Sequence, residues 1–208
     1  MATGVVLDSY QMFCTDPIES ISDLEGRKVA SAGVNLRYLE VIQDAAGVRG
    51  GLTDFYNMLQ TGLVDCAMLW PESAATFNIS EVAPYMIRTD FGSVNSKTVT
   101  ANQDYWNTLP DEVKDVLRAV SIDYRDHLAA LTMDNAAAAE ATYVETGGTI
   151  IEISDDDRAA WALAMPNVAQ EWAATLNGNG EDGDQMLESY LAKLEAAGFT
   201  GVRDWTQP

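Results

Sequence analysis

With 208 residues, the chain is long enough for one or two domains with a substantial hydrophobic core. Its 32 acidic residues against 12 Lys and Arg give a formal net charge of -20, a surface that repels nucleic acid and anionic membranes and excludes DNA or RNA as partners. Hydrophobic residues at 47% and aromatics at 9% exclude a disordered chain, and no apolar run reaches the roughly 18 residues of a membrane-spanning helix. The acidity reads first as a solubility adaptation of the kind a salty habitat favours, and only second as the mark of a specific basic partner.

The first residues, Met1 to Leu7, have neither a basic leading region nor a full apolar stretch, so they do not form a signal peptide. Either the chain is cytoplasmic or its natural beginning has been removed. Residues 4–14 read as one strand, with Tyr10, Met12 and Cys14 alternating with Ser9, Gln11 and Phe13, until Asp16-Pro17 breaks it. A second, small-residue strand is expected over 28–33. The segment Leu36–Ala46 places Leu36, Leu39, Val41 and Ile42 at helical intervals, and Gly47 stops it. Thr53-Asp54 caps a helix that buries Phe55, Met58, Leu59 and Leu63. Residues 64–70 are nearly all apolar, as in a strand covered on both faces.

A loop and short helix follow over 71–84, then strands at 85–88 and 93–102. Pro110-Asp111-Glu112 opens the clearest helix, with Val113, Val116, Leu117, Val120, Tyr124, Leu128 and Leu131 on one stripe, running towards Val144. A strand at 149–153 precedes Ser154, which caps a helix that Pro166 kinks, and a final helix covers Gln185–Ala197. Strands alternating with helices indicate an α/β fold with crossover connections.

The sequence has no glycine-rich dinucleotide fingerprint, phosphate loop, HExxH or GxSxG, and no cofactor is expected. The single histidine, His127, cannot by itself make a zinc site or a triad, and Asp155-Asp156-Asp157 reads as helix-capping charge rather than a metal cluster. Cys14 and Cys66 read first as two buried thiols, with one disulfide as the alternative in an oxidising compartment.

Four stretches, in order, resemble the DctP-type solute-binding proteins of TRAP transporters. They are Asp23-Leu24-Glu25-Gly26-Arg27-Lys28-Val29; Phe55-Tyr56-Asn57-Met58-Leu59-Gln60-Thr61-Gly62-Leu63-Val64-Asp65; Glu81-Val82-Ala83-Pro84-Tyr85; and Trp106-Asn107-Thr108-Leu109-Pro110-Asp111-Glu112-Val113. The resemblance covers roughly residues 18–175. It implies a bilobed periplasmic-binding fold of type II-like character, with the long helix from Pro110 bridging the lobes and a ligand captured between them without chemistry. It further implies a periplasmic location and TRAP membrane subunits as partners. On this reading residues 1–97 are the crossover strand and most of the second lobe, 98–135 contribute to the first lobe, and 136–208 return to the second. Most of the first lobe is then missing, and the uncovered surface favours self-association.

The chain departs from the family where ligand is usually met. The family's carboxylate-clamping Arg corresponds to Ala30 here, and the stretch that usually supplies an Asn reads Met68-Leu69-Trp70-Pro71. The resemblance therefore implies a more apolar cleft, suited to a carboxylate-bearing ligand with an aromatic or aliphatic body rather than a small dicarboxylate. Candidate binding residues are Asn35 and Arg37 after Gly33, where a helix start attracts anions and Arg37 would replace the absent Arg. Trp70 would stack on a ligand or pack in the core. Glu72 beyond it, and Asn95, whose position resembles a family ligand contact, complete the set; their plain readings are a surface cap and a strand-edge Asn. Two other function classes stay open: a small α/β enzyme with an unrecognised site, and a ligand-sensing domain.

Overall fold

The computed structural model of the protein describes residues 2–5, 7–93 and 97–207. Its centre is a six-stranded sheet in the order β4-β3-β5-β2-β6-β8, built from Ala46–Arg49, Lys28–Ser31, Cys66–Leu69, Gln11–Cys14, Tyr85–Arg88 and Thr149–Glu152. β3 pairs in parallel with β4 and β5, and β6 with β8; β2 alone runs antiparallel, between β5 and β6. A separate two-stranded ribbon pairs β1 (Ala2–Val5) with β7 (Lys97–Thr100). The single strand expected over 4–14 is thus two, divided between two sheets.

Side chains alternate between the faces of the six-stranded sheet, and both faces are covered. Met12, Cys14, Val29, Cys66, Met68 and Ile87 lie on one, under Leu39, Ile42, Trp161 and Met165. Phe13, Ala30, Ala67, Leu69 and Met86 lie on the other, under Phe55, Leu59, Ala74 and Tyr143. Double coverage explains why all four residues of β5 are buried. The buried Cys14 and Cys66 are not free thiols: they sit opposite one another in register and form a disulfide.

The helix expected over Leu36–Ala46 is absent. A 3-10 turn occupies Gly33–Leu39, Asp44 takes a positive φ of 55°, and β4 then pairs along β3. Gly47 permits this return, since a Cβ there would come within 2.9 Å of Leu36. The apolar spacing that resembled a helix instead serves a turn whose Leu39 and Ile42 plug one face of the sheet.

Helices α1 (Phe55–Gln60) and α2 (Pro71–Thr76) pack on the second face. Asp54 precedes α1 without capping it; its carboxylate accepts the Gly51 N–H at 3.3 Å. An unpredicted α3 (Gln103–Thr108) leads into α4, a 35-residue helix over Asp111–Glu145. Its expected apolar stripe lies open: Val113, Val116, Val120, Tyr124 and Leu131 are all exposed, Val116 at 62%. Burial falls at Ser121, Ala139 and Tyr143 instead, with the Tyr143 ring edge-on to Phe13 at 5.4 Å.

Pro166 does not kink one helix but separates two, α5 (Asp155–Ala164) and α6 (Val168–Gly178). Ser154 caps α5 as expected, its hydroxyl accepting the Asp157 N–H at 3.0 Å, and Asn167 caps α6. The last helix, α7, covers Gly183–Ala196. Among the described residues no helix is long and apolar enough to cross a membrane.

Candidate functional site

Five of the six strands share a direction, so their carboxyl ends, at Ser31, Arg49, Leu69, Arg88 and Glu152, open on one edge of the sheet. The antiparallel β2 enters from that same edge, bringing residues 7–10 to it. Open α/β sheets bind small molecules at such an edge, because loops leave the strands there with free backbone groups and variable side chains.

Gln11 organises the edge. Fully buried, it accepts the backbone N–H groups of Thr89 and Asp90 at 2.8 and 3.0 Å and donates to the Asp90 carboxylate at 2.8 Å. Arg158 donates to the other Asp90 oxygen at 2.8 Å. These bonds hold Asp90 at a positive φ of 49°. Burial works against the Asp90 carboxylate, but the hydrogen bonds from Gln11 and Arg158 outweigh it and keep it below the usual carboxylate range.

Asp8 behaves oppositely. Burial raises its carboxyl above the ordinary value, the Ser9 N–H partly offsets this, and the negative charges of Glu140, Glu72 and Asp90 add to the rise. Among the described residues its buried Oδ2 finds no hydrogen-bond partner. Arg88 supplies local positive charge, gripping Glu140 of α4 through two bonds at 2.7 and 2.9 Å and Glu152 through a third at 2.7 Å. Sequence reasoning passed over Asp8, Gln11 and Arg88. The only signal was polar residues interrupting apolar strand ends.

The described candidate residues come from two segments, the turn after β3 and the junction of β5 with α2. Trp70, half-buried at the end of β5, meets Tyr10 edge-on with ring centroids 5.4 Å apart. Glu72 on α2 accepts a bond from Asn135 of α4 at 3.3 Å and contributes to the field at Asp8. Asn35 is buried at 2% exposure within the turn after β3. Arg37, two residues on, pairs with Glu171 of α6 and with Glu40, and these carboxylates hold it firmly protonated. Asn95 falls in 94–96, outside the described residues. Ala30 is buried against α1 and α2, so no cation occupies its place on β3. Among the described residues no group of three or more His, Cys, Asp or Glu could hold a metal ion.

The four sequence motifs act chiefly as scaffold. Asp23 accepts the N–H groups of Glu19 and Ser20 at the turn before β3. The Asp65 carboxylate accepts the Lys28 N–H at 2.8 Å, tying the start of β5 to β3. Tyr56 donates to Glu81 at 2.8 Å, linking α1 to the turn before β6. Trp106 is buried beneath the guanidinium of Arg118.

Comparison with known proteins agrees with this architecture. The chain is 25% identical over 122 residues to the C4-dicarboxylate-binding periplasmic protein DctP of Rhodobacter capsulatus, a match covering 58% of this chain and 36% of that protein. A TRAP periplasmic solute binding protein from Desulfovibrio salexigens, in an open complex, superposes with a TM-score of 0.83 at 21% identity over 96% of this chain. A second from the same organism, with bound orotic acid, gives 0.77 at 18% identity over 92%. The chain spans 62% of the length of each of these structures. The DctP family model, described as bacterial extracellular solute-binding protein family 7, matches residues 8–175. The chain belongs to this DctP family of solute-binding proteins.

Proposed function

We propose that the chain captures a small organic solute in the periplasm and delivers it to the membrane subunits of a TRAP transporter, without chemistry. The observation that carries this reading is the row of strand ends opening on one edge, within a chain whose residues 8–175 match a solute-binding family. A cleft with few placed polar groups suits capture and release.

The solute we propose has an aromatic or aliphatic body and bears a carboxylate. The half-buried Trp70 at the end of β5 supports the apolar body, and the absence of a cation at Ala30 agrees with it. A carboxylate would reach Arg37 by displacing Glu171 or Glu40. The relatives' ligands, C4-dicarboxylate for one and orotic acid for the other, are themselves different carboxylates.

The same proposal assigns residues 98–135 to a further lobe and places self-association on uncovered apolar surface. The ribbon β1–β7, separate from the main sheet, and the exposed stripe of α4 support both. Sedimentation velocity over a concentration series checks the association.

A thermal-shift screen against aliphatic, aromatic and keto acids, amino acids and sugars tests the function. A ligand at about a hundred times its Kd stabilises the fold by about 2.7 kcal/mol. Saturable stabilisation without turnover is the expected result. Turnover of any hit would make the protein an enzyme, and preference for succinate-like acids over bulkier ones would overturn the apolar cleft.

A further inference from the structure

Past the end of β6, Thr89, Asp90 and Phe91 lead the strand-end edge into a cavity of about 640 Å³, within the range of small-molecule sites. Arg37 and Arg158 line it as well, so the cavity is an extension of the edge and not a site apart. Its walls are aromatic: Tyr38, Phe91, Trp161, Trp172 and Trp205. Tyr38 and Phe91 stack at 4.2 Å, and Trp161 meets Phe91 edge-on at 5.0 Å. Tyr38 donates to the Phe91 carbonyl at 3.0 Å and Trp161 to the Tyr38 carbonyl at 2.8 Å, so the polar tips of both are already used. What these walls offer is ring surface.

The two cations of the cavity are held differently. Arg158 binds an Asp90 carboxylate that the buried Gln11 also binds, which fixes that pair within the fold. Arg37 sits at the rim, its side chain 35% exposed, and its partners Glu40 and Glu171 are 50% and 51% exposed. Ion pairs this open to water contribute little, because solvent screens them and two long side chains must be held in one geometry. A solute carboxylate therefore takes the place of Glu171 on Arg37 at small cost. Among the described residues the guanidinium makes four hydrogen bonds, all to these two carboxylates, and one of its N–H donors is left over.

The fold holds the far wall in place. Gln170 of α6 donates to the Thr206 carbonyl at 3.0 Å and Asn167 to the Trp205 carbonyl at 3.4 Å, fastening the tail that carries Trp205. Trp205 lies beyond residues 8–175, so this wall comes from sequence outside the family match. We infer that the cavity receives the body of the solute and selects a planar aromatic carboxylate over an aliphatic one, with Arg37 meeting the carboxylate and the ring-lined walls meeting the body. This rests on the proposed capture of a carboxylate-bearing solute and chooses between the two bodies that proposal allows. Offset-stacked and edge-on aromatic pairs gain free energy beyond the area they bury, and a saturated body of similar size forgoes that gain.

Isothermal titration of the full chain with 2-naphthoate, its saturated counterpart decahydronaphthalene-2-carboxylate, and naphthalene tests this. 2-Naphthoate should bind at one site, about fivefold tighter than the saturated acid and about tenfold tighter than naphthalene. Trp205→Leu keeps the wall apolar but removes a ring, and should erase most of the preference for 2-naphthoate over the saturated acid. Arg37→Gln should weaken both acids about tenfold and leave naphthalene unchanged. Ala162→Phe, which fills the cavity, should abolish binding of all three. Circular dichroism melts accompany each variant, and the Trp205→Leu result is a ratio of two ligands on one protein, so a general loss of stability does not mimic it. Equal binding of the two acids would overturn the aromatic selection. Naphthoate binding that survives Ala162→Phe, or a preference lost in Trp70→Leu but kept in Trp205→Leu, would put the solute elsewhere on the edge and overturn the cavity while capture stands. Another carboxylate that binds saturably where 2-naphthoate does not would do the same. No binding of any acid, here or in the thermal-shift screen, would overturn capture itself and this inference with it.

Discussion

Cys14 of β2 and Cys66 of β5 stand opposite each other across two antiparallel strands and are covalently joined, their Cα atoms 4.1 Å apart. The bond ties the one reversed strand of the sheet to its neighbour and closes a loop with a sequence separation of 52. Loop-closure entropy on that scale is worth about 4 kcal/mol. Replacing both residues, Cys14→Ala with Cys66→Ala, should lower the urea unfolding free energy by about 2–4 kcal/mol. Reduction of the wild type should produce a similar loss, and a thiol assay of the unreduced, unfolded protein should find no free thiol.

Asp8 and Asp90 should show opposite pH signatures. The folded pKa of Asp8 is raised, burial being the main cause, so its ionisation opposes folding as pH rises from the ordinary value of 3.8 through the folded one. Asp8→Asn should therefore stabilise the protein at pH 7, with the gain vanishing below about 3.8. The folded pKa of Asp90 is lowered, its hydrogen bonds from Gln11 and Arg158 outweighing burial. Its stabilisation is present above the ordinary value and is lost as pH falls through the folded one. Asp90→Asn should cost roughly 1–3 kcal/mol at pH 7 and less in acid. Urea titrations of both variants from pH 7 down to well below 3.8 check the opposite signs.

Gly183 begins α7 in contact with α6. A Cβ there would lie 2.2 Å from the Ala173 carbonyl oxygen and 2.9 Å from the Leu176 Cβ, so the helices must part to admit it. Gly183→Ala should destabilise by roughly 1–3 kcal/mol, the usual cost of overpacking. Gly178→Ala, which meets nothing within 4 Å, serves as the control in the same thermal melts.

Arg88 holds Glu140 of α4 and Glu152 of β8 together, at 26% exposure of its own side chain. Arg88→Met leaves Glu140 near Asp8 without its partner. The expected loss is about 2 kcal/mol at neutral pH. It should shrink when Glu140→Gln is added, a coupling that a double-mutant cycle measures.

Much of the scaffold was legible in the sequence because local physics writes it there. β3, β5 and β6 announce themselves as short apolar runs, Ser154 as a cap, Pro110-Asp111-Glu112 as a helix start, and the four motifs as the turns and ties that position the sheet. Those residues act on neighbours near in sequence or on backbone geometry. The stretch Gly33–Arg49 was misread because its apolar spacing fits a helix equally well, and only pairing along β3 selects a turn and a strand. The Cys14–Cys66 bond depends on a strand register that spacing does not reveal. Gln11, Asp90 and Arg158 meet across 79 and 68 residues of chain, and Asp8 feels the charges of Glu72, Asp90 and Glu140, so these hydrogen bonds and altered acidities exist only once the strands are ordered. The sequence by itself determined the fold class, the family and the long helix. The tertiary structure alone decided the disulfide, the exposed face of that helix and the polar groups along the strand-end edge, because each depends on which distant segments the sheet brings side by side.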